Sequence, residues 1–142
     1  MRKYLPHGAM PIYINSTMKT NVLVADDDMD VHQLVCDILE ICLRNVKVER
    51  AMSLQGFWAK LPAAPERPWH LVFLSAEYIK EEPAGFIDRL TAVNPNVIGK
   101  VVLLGVAADA ESCGESLMAA PLLVKPFSLD KFEEIVKQIC GS

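Results

Sequence analysis

Five short strand-like segments, separated by stretches with helical spacing, constrain the fold of this chain more than any other feature. Four of them are continuous apolar runs, which are typical of strands that are buried on both faces of a parallel sheet. A strand, a helix and a further parallel strand must be joined by a right-handed crossover. The alternation therefore predicts an α/β chain of five βα units, doubly wound, with helices on both faces of a five-stranded parallel sheet. The predicted strands are residues 22–25, 46–51, 71–74, 101–104 and 122–124.

Between these runs, apolar residues recur three and four positions apart, as on the buried face of a helix. The second strand alternates apolar and polar residues, which predicts a place near the edge of the sheet. Residues 76–82 are predicted as a loop and residues 94–96, Asn-Pro-Asn, as a turn. The predicted helices are residues 30–44, 54–61, 83–93 and 110–118, and a last helix that opens at Ser128.

The length of 142 residues fits one domain. Pro6, Gly8 and Pro11 interrupt any regular pattern near the start, so residues 1–18 are predicted as an extension and residues 19–142 as the domain. No apolar run approaches the ~20 residues that a membrane-spanning helix needs. The N-terminus has no secretory signal pattern. The net charge of −4 argues against a free-standing nucleic-acid-binding protein.

Four cysteines occur without a CxxC pair or a neighbouring histidine cluster, which argues against a zinc site. Cys36 and Cys42 fall within one apolar helical pattern and are predicted to be small buried residues in a reducing cytosol. The expected location is therefore cytoplasmic.

The carboxyl ends of the strands are the places where ligands bind in folds of this kind. Because parallel strands all end at one edge of the sheet, the residues there are expected to lie close together. They are Asp26, Asp27, Ser75, Gly105 and Lys125.

The first strand ends in VLVADDD and the last in LLVKPFS, and together these segments resemble the CheY-like receiver domain of response regulators. The resemblance implies a flavodoxin-like sheet with strand order 2-1-3-4-5. It also implies a phosphorylation site in which two acids hold Mg²⁺ and an aspartate after the third strand accepts a phosphoryl group from a histidine kinase. A Thr or Ser after the fourth strand and a lysine after the fifth contact the phosphate. Phosphoryl transfer needs this positive charge, because the transferred group carries negative charge on its oxygens.

This chain keeps half of that set. Asp26 and Asp27 match the acidic pair, and Lys125 matches the lysine, with Pro126 after it. Ser75, however, stands at the acceptor position, and Gly105 stands where the family has a hydroxyl.

Leu122 occupies the position of the family's aromatic switch residue, and the segment from Ser75 to Gly85 is longer than usual. A serine hydroxyl is neutral at pH 7 and needs a base before it attacks. The resemblance therefore implies a degenerate phosphorylation pocket with no catalytic residue.

Three expectations follow for the pocket. Lys125 forms a salt bridge with Asp26 or Asp27. Mg²⁺ is the one candidate cofactor and would bind weakly to Asp26 and Asp27, because one of three anionic ligands is missing. Ser75 and Glu77 are the alternative phosphoryl acceptors, and Tyr78, in the predicted loop, is a candidate for contact with a partner.

The predicted function is that of a pseudo-receiver, not an enzyme, which acts in two-component signalling through protein contacts. A histidine kinase or an effector is the expected partner, and a homodimer is open; no membrane or nucleic-acid partner is expected. One alternative is a working phosphorelay receiver with an unusual acceptor. Another is a flavodoxin-like enzyme or cofactor-binding domain, although three successive acids after the first strand would repel a phosphate. A transcription factor would need further chain after Cys140.

Overall fold

A parallel five-stranded sheet forms the centre of the molecule. A computed structural model describes residues 20–43, 45–62, 68–82, 85–106, 120–125 and 127–140. Within these residues the strands lie in the order β2-β1-β3-β4-β5, which confirms the predicted fold class and places β2 at an edge. The strands are β1 (Thr20–Ala25), β2 (Val46–Ala51), β3 (Leu71–Ser75), β4 (Val101–Gly105) and β5 (Leu122–Val124).

Helices cover both faces of the sheet. They are α1 (Met29–Cys42), α2 (Leu54–Lys60), α3 (Ala76–Glu81), α4 (Phe86–Val93), a 3₁₀ helix (Pro95–Lys100) and α5 (Leu129–Cys140). Side chains of β1 alternate between the two faces: Val22 and Val24 pack with α1 and α5, whereas Leu23 and Ala25 pack with α2, α3 and α4. The sheet is therefore buried on both sides, as its apolar runs predict.

Two predicted helices have different bounds in the structure, and two predicted connections are helical. The predicted loop 76–82 is helix α3, because the Ser75 hydroxyl accepts a hydrogen bond from the Glu77 N–H and so caps a run of good helix formers. The helix predicted at 83–93 begins only at Phe86, after Gly85 in the left-handed region with φ 81°. The helix predicted at 30–44 is Met29–Cys42, because it ends where Leu43 becomes extended.

The Asn-Pro-Asn segment continues into the 3₁₀ helix instead of forming a simple turn. The Asn94 side chain accepts a hydrogen bond from the Asn96 N–H and donates one to the carbonyl of Leu61, which ties this connection to the end of α2. The predicted extension 1–18 and the predicted helix 110–118 lie outside the described residues.

Cys36 and Cys42 are buried and free, as predicted for small core residues. Trp69 is buried and donates its indole N–H to the carbonyl of Leu61, and Trp58 packs between Phe57 and Phe86. None of the described helices combines the length and the apolar character needed to cross a lipid bilayer.

Candidate functional site

The carboxyl ends of β1, β3 and β4 and the residue after β5 meet at one edge of the sheet. The register pairs Ala25 with Leu74, Ser75 with Leu104, and Gly105 with Val124. The backbone N–H of Lys125 donates to the carbonyl of Gly105 at 2.7 Å, which holds the lysine beside the end of β4. The parallel register thus brings the strand-end residues to a common edge.

An internal ion pair links the two ends of this edge. The Lys125 Nζ lies 3.1 Å from the Asp26 Oδ2, as the sequence predicted for one of the two acids. Asp26 is 1% exposed, and its Oδ1 accepts a hydrogen bond of 2.9 Å from the Asp28 N–H. Both carboxylate oxygens of this buried acid are therefore already bound by donors of the chain.

The three successive acids have three different environments. Asp26 is buried in the ion pair, and Asp28 caps α1 by accepting a hydrogen bond from the Asp30 N–H at 2.9 Å. Asp27 is exposed to solvent. Of the three acids, Asp27 is the one that faces water and makes no cap or ion pair with the residues that the structure describes.

Ser75 is buried at the end of β3 and is the N-cap of α3. Its hydroxyl accepts the Glu77 N–H at 3.2 Å, which satisfies one of the backbone donors that a helix start leaves free. The side chain of Glu77 points the other way: it is 69% exposed and pairs with Lys80 at 3.2 Å. The structure therefore brings Ser75 to the candidate site and leaves the Glu77 carboxylate at the surface.

Tyr78 was predicted to lie in a loop and to be a candidate for contact with a partner, and the loop prediction was wrong. It is 4% exposed within α3, and its hydroxyl is buried without a hydrogen-bond partner among the described residues. Burial, together with the negative charges of Asp27, Asp26 and Glu81, raises the pKa of Tyr78 to about 12. The phenol therefore lies near the acidic pair, and it was missed because α3 itself was missed.

His32 is a second residue that sequence reasoning did not assign to the site. It is fully buried on α1, and its Nε2 is hydrogen-bonded to the backbone carbonyl of Asp26. This contact fixes the turn between β1 and α1. The signal available in the sequence was weak: a histidine on the apolar face of the first helix is most often a core residue.

Comparison with known proteins identifies the fold. No protein-family model matches the sequence, and a comparison with curated proteins finds no match. The signal receiver domain of a response regulator from Bacteroides fragilis is 18% identical, with a TM-score of 0.68 over 88% of this chain and 99% of that one. The receiver domain of a sensor histidine kinase from Pseudomonas aeruginosa, solved with magnesium in its active-site cleft, is 15% identical, with a TM-score of 0.67 over 88% and 100%.

The chain has the fold of a response-regulator receiver domain. NtrX from Brucella abortus shares this fold at 21% identity, with a TM-score of 0.63 over 87% of this chain but 27% of its own length, so this chain spans about a quarter of that protein. At these identities the fold is what is common to the proteins.

The donors at this edge of the receiver fold are a poor match for a magnesium site. Among the described residues, no group of three His, Cys, Asp or Glu side chains is placed to hold a metal ion. Mg²⁺ demands nearly octahedral coordination by hard oxygen ligands. Here the Asp26 carboxylate is bound by Lys125 and the Asp28 N–H, and the Ser75 hydroxyl is bound by the Glu77 N–H. A metal ion would have to compete with the Lys125 ammonium group for Asp26.

Proposed function

We propose that the chain is a pseudo-receiver: a signalling domain of two-component type that acts through protein contacts and is not switched by an aspartyl phosphate. One observation carries the proposal. The residue that the resemblance puts at the acceptor position, Ser75, uses its hydroxyl as the cap of α3. A carboxylate acceptor is thus replaced by a neutral group with a structural task.

The ion pair between Lys125 and Asp26 supports the same conclusion. In phosphoryl transfer, cations must face the oxygens of the transferred group. Here the Lys125 ammonium group faces Asp26 at 3.1 Å, and its charge is neutralised within the protein. The pair stabilises the end of the sheet without any bound phosphate.

The alternative acceptors are less favourable. Attack by the Ser75 hydroxyl would need a base to remove its proton, and it would also break the cap of α3. The Glu77 carboxylate is largely solvated and already pairs with Lys80. A working phosphorelay receiver that uses either residue is therefore the weaker proposal.

A flavodoxin-like enzyme is the second alternative and has less support. A phosphate-bearing cofactor would meet Asp26, Asp27 and Asp28 where such folds usually present a glycine-rich turn and backbone N–H groups. The proposal therefore includes no enzymatic activity and no cofactor, apart from weak Mg²⁺ binding by Asp26 and Asp27, which stays a prediction.

The proposed partner is a protein of the same signalling pathway, either a histidine kinase or an effector, in the cytoplasm. A homodimer would fit the same role. The signal would then depend on whether a partner protein is bound to the surface of the domain, because the pocket has no acceptor carboxylate whose charge phosphorylation could change.

Phosphorylation chemistry tests the proposal directly. The full chain is incubated with Mg²⁺ and acetyl phosphate, and its intact mass is measured. We expect no gain of about 80 Da, the mass of one phosphoryl group. A parallel titration with beryllofluoride, at a constant Mg²⁺ concentration, is expected to leave the amide chemical shifts of residues 26, 75 and 125 unchanged.

The matched control is Ser75→Asp, which restores a carboxylate at the end of β3 and keeps an N-cap residue. A mass gain in this variant alone would trace the missing reactivity to residue 75. A gain of about 80 Da on the unaltered chain would overturn the proposal, and peptide mapping would then assign the adduct to Ser75 or Glu77.

A further inference from the structure

The outer surface of α1 carries an alternating acidic and apolar stripe. Asp30, Leu34, Asp37 and Ile41 are four, three and four positions apart, so they follow one another along the same side of the helix. All four are exposed; Leu34 is 40% exposed and Ile41 59%. The stripe extends over about 17 Å, at 1.5 Å of rise per residue.

The charge of this helix is one-sided. Asp30, Asp37 and Glu40 are its charged residues, and it contains no lysine or arginine. Lys137 of α5 lies near Cys42 at the end of α1 and offsets part of that charge. The stripe therefore presents apolar side chains bordered by acids, a surface that a segment with basic and apolar residues would complement.

Such a segment belongs to the same chain. Residues 1–19 contain Arg2, Lys3 and Lys19 and no aspartate or glutamate. Their larger apolar side chains are Tyr4, Leu5, Met10, Ile12, Tyr13, Ile14 and Met18. The segment is thus opposite in charge to the stripe and carries apolar side chains of matching kind.

Residues 1–19 are joined to the sheet at a point close to the end of α1. Thr20 pairs with Val46 in the sheet, and its N–H donates to the carbonyl of Asn45 at 2.9 Å, just beyond the last residue of α1. The segment therefore leaves the described fold beside the end of the helix that carries Ile41. Nineteen extended residues reach about 60 Å, far more than the stripe requires.

We propose that residues 1–19 dock along the stripe formed by Asp30, Leu34, Asp37 and Ile41. Arg2 or Lys3 pairs with the acids, and apolar side chains of the segment cover Leu34 and Ile41. Because the segment is tethered next to the stripe, its effective concentration there is of millimolar order, so even weak contacts hold it. Docking also covers a surface that an external partner would otherwise reach, which makes the segment a competitor for that surface.

Methyl NMR spectroscopy of the full chain tests this proposal. With isotope-labelled protein at low salt, we expect nuclear Overhauser effects between the methyl groups of Leu34 or Ile41 and the ring protons of Tyr4 or Tyr13. Their intensity, normalised to protein, should be the same at two concentrations tenfold apart. Raising the salt concentration should weaken them, because exposed charge pairs are screened.

Charge exchange separates the proposed contact from a general effect. Asp37→Lys should lower the ratio of docked to free segment about threefold or more, and Lys3→Glu should do the same. The two substitutions together should restore much of that loss. The control Glu134→Lys makes the same change of charge at a side chain on α5 that is 70% exposed, and it should leave the contacts intact.

Three results would overturn the proposal. Contacts that grow with protein concentration would assign the stripe to a second copy of the chain. Contacts that are unaffected by Asp37→Lys would show that the acids do not recognise the segment. Absence of any contact between residues 1–19 and the two methyl-bearing residues, with the stripe fully solvent-exposed, would leave the surface to an external partner.

Discussion

Removing the Lys125 ammonium group is the sharpest test of the ion pair at the candidate site. In Lys125→Met the apolar stem is kept, but the Asp26 carboxylate loses its counter-ion while its side chain remains only 2% exposed. Removing one partner of a fully buried pair destabilises proteins by about 3–5 kcal/mol, because the other charge is left without compensation.

The expected value here is lower, about 2–3 kcal/mol, for two reasons. Lys125 is 30% exposed, so solvent screens the pair and reduces its strength. Asp26 also keeps the hydrogen bond from the Asp28 N–H at 2.9 Å, which continues to stabilise its charge. Asp26→Asn keeps an oxygen acceptor for that N–H and should cost less than Lys125→Met.

Urea unfolding followed by tryptophan fluorescence measures these effects, since Trp58 and Trp69 both lie in packed regions of the fold. The double variant Asp26→Asn with Lys125→Met removes both charges, and the cycle should give a coupling energy of about 1–2 kcal/mol. Asp27→Asn, at the exposed neighbouring acid, is the matched control and should stay within about 0.5 kcal/mol of the unaltered chain. A cost below 0.5 kcal/mol for Lys125→Met, with no measurable coupling, would refute a stabilising role for the pair.

Three further outcomes are expected. Ser75→Ala should lower the free energy of unfolding by about 1 kcal/mol, because it removes the cap of α3, whereas Ser75→Asp should retain more of it; urea unfolding measures both. Burial and the Lys100 charge lower the pKa of His70 in the folded chain. The stabilising contribution of His70 is therefore complete above the unfolded-state pKa near 6.5, and it is lost as the pH falls through the lower folded-state pKa. The decline in thermal midpoint between pH 7.5 and pH 5 should therefore be smaller in His70→Asn. Burial raises the pKa of Cys42 to about 12, so alkylation at pH 8 followed by peptide mapping should find this thiol unmodified in the folded chain.

Much of the fold could be predicted because the strands carry a local signal. The β2 strand was placed at its exact bounds and at the sheet edge, since only an edge strand tolerates the charged residues Lys47, Glu49 and Arg50 among its apolar ones. The start of α2 was also predicted, because Ser53 has the side chain that a helix N-terminus prefers and accepts the Gly56 N–H.

Helix α3 could not be predicted with the same method. Its six residues are too few to show a helical period, and an isolated helix of this length is unstable in water. It forms because the Ser75 cap starts it and because Tyr78 and Ile79 are buried against the sheet. The sequence therefore placed Ser75 at the carboxyl end of a strand without the helix that its hydroxyl caps.

The sequence by itself determined which residues reach the carboxyl edge of the sheet, because the five strand segments end at identifiable positions and parallel strands all end on one side. It also determined that a serine, Ser75, stands at the carboxyl end of the third strand. Only the tertiary structure decided that Asp26, and not Asp27, pairs with Lys125, a residue 99 positions away. The physical reason is burial: Asp26 lies under the edge where water is excluded and a charge must be compensated, whereas Asp27 remains in solvent. Local sequence contains no information on that difference, since it arises from how β1 and the end of β5 are held across β3 and β4.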